Sequence, residues 1–144
     1  MSQEPRRVLV VDDDRLLRRL VARILEREGF RVETAVDGEQ GLVAYYRFQP
    51  DLVVLDVVLP GENGYRVSRA IKSSPDLALG TAPPPILLIT GRRLDNDWGR
   101  ETIMMTFAKA DAVLYKPFEI PEFLDRIRSL LTPASTTRPL DAHR

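Results

Sequence analysis

Three short apolar runs that end in charged residues do most to limit what this chain can fold into. Val8-Leu9-Val10-Val11 leads into Asp12-Asp13-Asp14, Leu52-Val53-Val54-Leu55 into Asp56, and Ala112-Val113-Leu114-Tyr115 into Lys116-Pro117. An uninterrupted apolar run, rich in β-branched residues, matches a parallel strand covered on both faces, with its C-terminal end opening into a polar crevice. If these strands lie side by side, several carboxylates and one ammonium meet at one edge. Carboxylates placed so close repel one another, so positive charge has to sit among them. A divalent cation and a phosphate are therefore the first ligands to consider.

The chain has 144 residues, which suits one compact domain with a real core and is short for two. Its 21 basic and 21 acidic residues cancel, so no overall field draws it to nucleic acid or to an anionic membrane. It has no cysteine, which removes disulfides, thiolate chemistry and Cys-based zinc sites from consideration. Neither a secretory apolar region nor a membrane-spanning stretch occurs in the sequence, so a cytoplasmic location is expected.

Strand and helix signals alternate. After the first strand, Asp14 is placed to cap a helix carrying Leu16, Leu17, Leu20, Val21, Ile24 and Leu25 at helical spacing, closed by Gly29. Residues 31–36 form a second strand and 38–47 a short helix with Leu42, Val43 and Tyr46 inward. The third strand is followed by a loop over 57–64, and a helix over 65–73 carries Val67, Ala70 and Ile71. The stretch 74–85, with Pro83-Pro84-Pro85, is a stiff connection. Residues 86–89 make a fourth strand ending at Thr90-Gly91. A fourth helix covers about 97–108, a fifth strand 111–115 and a last helix 121–131. Residues 132–144 read as a disordered tail or linker.

Five strand–helix units in this order imply right-handed crossovers and an α/β fold: a doubly wound, five-stranded parallel sheet with flanking helices. Ligands of such folds bind beyond the carboxyl ends of the strands. All the acidic clusters, Thr90 and Lys116 fall there.

These motifs resemble one known family, the receiver domains of bacterial two-component response regulators. The resemblance covers residues 6–131 and implies their (βα)5 flavodoxin-like fold. It rests on Asp12-Asp13-Asp14 after strand one, Asp56 with Pro60-Gly61 and Gly64 after strand three, Thr90-Gly91 after strand four, and Lys116-Pro117-Phe118 after strand five. Each motif is weak alone; in order and at these spacings they form a strong signal.

The resemblance implies that Asp56 is a nucleophile accepting a phosphoryl group as an aspartyl phosphate. Asp12, Asp13, Asp56 and the backbone carbonyl of Val58 would supply hard oxygen ligands to Mg²⁺. Lys116 would contact a phosphate oxygen as a point charge, and Thr90 would donate its hydroxyl to another. Asp14 is expected to act as the helix cap. The family's cis bond is implied at Lys116-Pro117. The only histidine, His143, lies in the tail, so the phosphoryl group has to come from a histidine kinase or a histidine phosphotransfer protein. Arg15, Arg18 and Arg19 read as a solvated helix face. The resemblance implies that the helical, histidine-bearing partner docks on this helix, and Leu16 and Leu17 cannot both face the core.

Two features depart from the pattern. The family usually has an aromatic residue three positions before the strand-five lysine, where this chain has Val113, while Tyr115 is expected to pack on the sheet. The segment from Thr90 to Lys116 is also longer than usual; Arg92 and Val58, each two positions beyond a site residue, would border the path of an attacking water. The leading expectation is a phosphorylation-switched signalling domain whose output face is helix four, strand five and helix five. That face would bind a downstream protein or effector domain and is compatible with a homodimer, with no direct contact to nucleic acid or membrane. The receiver would be an enzyme only toward its own phosphorylation and dephosphorylation. Two alternatives stand beside it: a Mg²⁺-dependent small-molecule phosphatase of the haloacid-dehalogenase type, and a non-switching receiver-like interaction module. No helix-turn-helix follows residue 131, so a stand-alone receiver is expected.

Overall fold

In the computed structural model of the chain, residues 4–73, 82–91 and 98–132 are described, the side chains of Trp98 and Gly99 excepted. The expectations for Arg92, for His143 and for most of the 74–85 connection lie outside these residues. The elements are β1 (Arg7–Val11), α1 (Arg15–Arg27), β2 (Arg31–Ala35), α2 (Gly38–Phe48), β3 (Leu52–Asp56), β4 (Val58–Leu59), β5 (Glu62–Asn63), α3 (Gly64–Lys72), β6 (Ile86–Thr90), α4 (Trp98–Ala108), β7 (Ala112–Tyr115) and α5 (Ile120–Leu131). The main sheet runs β2-β1-β3-β6-β7, and every neighbouring pair is parallel. The loop expected over 57–64 instead contains a small antiparallel hairpin, β4 with β5.

Because side chains alternate across a strand, each apolar run feeds two cores. Leu9, Val11, Val53, Leu55, Ile86 and Leu88 point to one side, where Ala44, Tyr45, Val67, Ile71 and Ala108 of α2, α3 and α4 cover them. Val8, Val10, Leu52, Val54, Leu87, Ile89 and Leu114 point to the other, under Val21 and Leu25 of α1 and Phe123, Leu124 and Ile127 of α5. This is the doubly wound α/β sheet expected from the sequence.

Local chemistry sets the helix ends. The carboxylates of Asp14 and Asp37 accept from the backbone N–H groups of Leu17 and Gln40, and the Asn63 side chain accepts from Arg66 N–H, each satisfying an otherwise orphaned first-turn donor. Gly29, at φ 96°, turns the chain out of α1.

One assignment of an inward face is corrected, and two other helices turn only part of their apolar stripe inward. On α2, Val43 and Tyr46 are 56% and 46% exposed, while Ala44 and Tyr45 are buried. The helix lies against β1 through Gly41, where a Cβ would come 3.1 Å from Val11, so the close approach rotates the neighbouring positions outward. On α3, Ala70 is exposed and Ser68 takes the inner position, its hydroxyl donating to the Ala108 carbonyl at 2.8 Å. On α1, Val21 and Leu25 are buried while Leu20 faces solvent, and Leu16 is the member of the Leu16–Leu17 pair turned away from the core, as that pair required.

Candidate functional site

β1 and β3 are adjacent, and the crossovers leave β1 toward β2 on one side and β3 toward β6 on the other. Their carboxyl ends thus flank the point where the winding reverses, and side chains just beyond them are not roofed by a helix. Asp12 and Asp56 occupy these two ends and are 5% and 4% exposed. Asp13, two residues beyond β1, is exposed. One carboxylate oxygen from each of Asp12, Asp13 and Asp56 lies within 4.8 Å of the others.

Lys116 arrives from β7, two strands from β3. Its N–H donates to the Thr90 carbonyl at 2.8 Å, prolonging the β6–β7 ladder, and a cis peptide to Pro117 follows. The ammonium donates to Asp56 Oδ2 at 2.9 Å and stands 3.8 Å from Asp12 Oδ2. The other oxygens are also held: Asp56 Oδ1 accepts from Val58 N–H at 3.0 Å, and Asp12 Oδ1 from Asp14 N–H at 2.9 Å. Thr90 is buried at the end of β6, and in the strand registers it neighbours Tyr115. The chain then folds back tightly beneath Asp56. Gly64 N–H donates to the Val57 carbonyl at 2.7 Å, and a Cβ at residue 64 would fall 2.2 Å from the Asp56 carbonyl oxygen, so only glycine fits.

The electrostatics show the crowding anticipated from the sequence. Burial, and the hydrogen bond and charge shared with Asp56, push the Asp12 carboxyl up to about 6, against the opposing pull of the Asp14 N–H and Lys116. For Lys116 burial works against the charge, but Asp56 and Asp12 outweigh it and raise its pKa. One ammonium beside three carboxylates leaves a net negative cradle. A set of oxygen donors on two strand ends, with one member exposed, fits a hard cation that keeps part of its water, as Mg²⁺ does.

The structure therefore brings Asp12, Asp13, Asp56, Thr90 and Lys116 to the same end of the sheet and assigns Asp14 to capping. Val58 sits beside them with an exposed side chain, its N–H bound to Asp56. One expectation is corrected: Arg18 is not merely part of a solvated face. It is half-buried, and its Nη1 donates to the Asp12 backbone carbonyl at 2.9 Å. The sequence does hold a signal for this, since a long side chain in the second turn of a helix leans back toward the N-terminus. Val113 packs half-buried on the α3/α4 side of the sheet, and its carbonyl accepts from Arg126 Nη1 at 2.8 Å. Next to the carboxylates, Leu16, Leu17, Leu20, Ile24, Phe118 and Ile120 line an apolar groove of about 400 Å³, with Asp14 and Lys116 at its margin.

Comparison with known proteins decides the family. The response regulator receiver domain matches residues 8–128. The chain belongs to the response regulator receiver domain family. Among the relatives of this receiver, the response regulator MprA of Mycobacterium leprae is 40% identical over 136 residues, which cover 94% of this chain and 54% of that protein. The chain thus spans about half the length of the curated relatives it matches. The chemotaxis response regulator CheY4 of Vibrio cholerae superposes with a TM-score of 0.75 at 26% identity, covering 88% of this chain and 99% of that one. The BeF3-activated N-terminal receiver domain of Klebsiella pneumoniae RstA gives a TM-score of 0.74 at 25% identity, covering 88% of this chain and 99% of that one. Among the described residues, no helix is long and apolar enough to cross a membrane.

Proposed function

We propose that this receiver accepts a phosphoryl group on Asp56 from a phosphohistidine partner, with Mg²⁺ held by Asp12, Asp13, Asp56 and the Val58 carbonyl. The observation that carries the reading is the Asp56 carboxylate, buried at the end of β3, within 2.9 Å of Lys116 and grouped with two further carboxylates. A carboxylate oxygen of Asp56 attacks phosphorus; the P–N bond of the donor breaks, and its electron pair stays on the imidazole nitrogen, which takes up a proton. Phosphoryl transfer requires positioning and neutralisation of charge more than further covalent help. The ammonium of Lys116 balances charge on the phosphoryl oxygens, and the Thr90 hydroxyl donates to one of them. Bound Mg²⁺, held by these residues, would supply the remaining positive charge.

The apolar groove beside α1 suits a helical partner that delivers its histidine to this edge, with Leu16 the most exposed element of the contact. Output through α4, β7 and α5 to a downstream protein or effector domain, a receiver unit over 1–131 with 132–144 as linker, and a cytoplasmic setting complete the proposal. The haloacid-dehalogenase alternative needs Asp14 as a second acid beside Asp12, but the Asp14 carboxylate is occupied in capping α1. The test is Mg²⁺-dependent labelling by acetyl phosphate. The expected result is a mass gain of one phosphoryl group that is stable to acid and labile to base; its persistence in Asp56→Asn would refute the assignment.

A further inference from the structure

Asp12 and Asp13 are consecutive, so the single peptide joining them sets how two of the three carboxylates are presented. On its N-terminal side this peptide is still tied to the sheet, with Asp12 N–H donating to the Ala35 carbonyl at 3.1 Å. Beyond Asp12 the strand ends, and the Asp12 carbonyl is left in a buried place without a strand partner; buried backbone acceptors demand a donor. The donor is Arg18, at 2.9 Å. A guanidinium bond to a carbonyl is charge-assisted and stronger than an amide one. Arg18 is itself anchored, since its backbone N–H donates to the Asp14 carbonyl at 2.8 Å in the first turn of α1.

We propose that Arg18 is a positioning residue for the metal-binding carboxylates, fixing the Asp12–Asp13 peptide through the Asp12 carbonyl. This rests on the reading of Asp12, Asp13 and Asp56 as the Mg²⁺ site. The assignment has a consequence opposite in sign to simple electrostatics. A cation next to a divalent metal site repels the metal, so deleting Arg18 for its charge alone would tighten Mg²⁺ binding. Deleting it as the anchor of the ligand peptide loosens the carboxylates and weakens binding, as removal of an outer hydrogen-bond partner of metal ligands does.

The experiment uses the full chain as wild type, Arg18→Met and Arg18→Lys. Mg²⁺ alone is titrated by calorimetry, and the ¹³C shift of the Asp12 carbonyl is recorded in metal-free protein. The expected result for Arg18→Met is a Kd for Mg²⁺ raised about 10-fold, with the Asp12 carbonyl signal displaced before any metal is added. Arg18→Lys keeps the charge but loses the planar fork, so its Kd falls between the two. An Arg18→Met Kd equal to or lower than that of wild type overturns the proposal. If that variant does not fold, a wild-type Kd in Arg18→Lys overturns it equally. Absence of any Mg²⁺ binding by wild type would instead overturn the metal reading itself, and the role of Arg18 with it.

Discussion

Asp12→Asn isolates the electrostatic load at the carboxylate cluster, because the amide keeps the shape and the oxygen that accepts from Asp14 N–H at 2.9 Å while removing one negative charge. In the folded protein the Asp12 carboxyl is pushed up from 3.8 to about 6 by burial and by Asp56. The folded state therefore holds this proton more tightly than the unfolded chain. Well below pH 3.8 both states are protonated and the ionisation cost is absent; as pH rises through 3.8 toward 6 the unfolded chain loses its proton first, and stability falls. Above that window the cost is complete and amounts to about 3 kcal/mol. That figure already contains the attraction to Lys116, 3.8 Å away; water reaching this open edge screens it, so a net stabilisation of about 1–2 kcal/mol is expected for Asp12→Asn at pH 7.5. For a domain of this size that is a rise in Tm of roughly 4–8 °C. The assay is denaturant unfolding in metal-free buffer at pH 4, 5, 6 and 7.5. The stability difference should be small at pH 4 and grow to a plateau by pH 7.5. Mg²⁺ at about 100 times its Kd should then add about 2.7 kcal/mol to wild type and much less to Asp12→Asn, closing or reversing the gap. A variant less stable than wild type at pH 7.5, or one with the same advantage at pH 4, would refute the claim that Asp12 carries an ionisation cost.

Other expectations follow from single contacts. Gly64→Ala places a Cβ 2.2 Å from the Asp56 carbonyl oxygen, so the backbone must move; a loss of about 2–3 kcal/mol in unfolding free energy should come with slower acetyl-phosphate labelling. Leu16→Glu puts a charge on an exposed part of the α1 groove; phosphotransfer from a histidine kinase should drop while labelling by acetyl phosphate and the unfolding midpoint stay at wild-type values. Ser68→Ala removes the buried bond to the Ala108 carbonyl and leaves that acceptor without its side-chain donor, at a cost of about 1–3 kcal/mol, read by denaturant unfolding and by faster amide exchange at the C-terminal end of α4. Phe123→Ala empties the largest fully buried side chain of the α1/α5 core and should cost about 3–5 kcal/mol, measured as a shift in denaturation midpoint.

Much of this was legible in the linear chain. The apolar runs ending at Asp12, Asp56 and Thr90 became the three central strands, buried on both faces as an uninterrupted apolar run favours, and the run ending at Lys116 became the half-buried edge strand. Asp14 could be read as a cap from its place before a helical pattern, and the structure bears this out. The errors lie where a pattern is shared between two nearly equal solutions. Val43 and Tyr46 fit an inward stripe as well as Ala44 and Tyr45 do, and only the close seat of Gly41 against Val11 chooses between them. Ala70 lost its inner place to Ser68 because a hydroxyl could satisfy the Ala108 carbonyl in α4.

The sequence by itself determined which residues end the strands and therefore which side chains can gather at one edge of the sheet, since strand ends are local consequences of apolar patterning. Tertiary structure alone decided how they meet. The order β2-β1-β3-β6-β7 sets Asp12 beside Asp56 and lets Lys116, 60 residues beyond Asp56 in the chain, reach both. It also assigned Arg18 to a backbone carbonyl instead of to solvent. Distances of this kind depend on crossovers and packing between segments remote in sequence, and a local pattern carries no record of them.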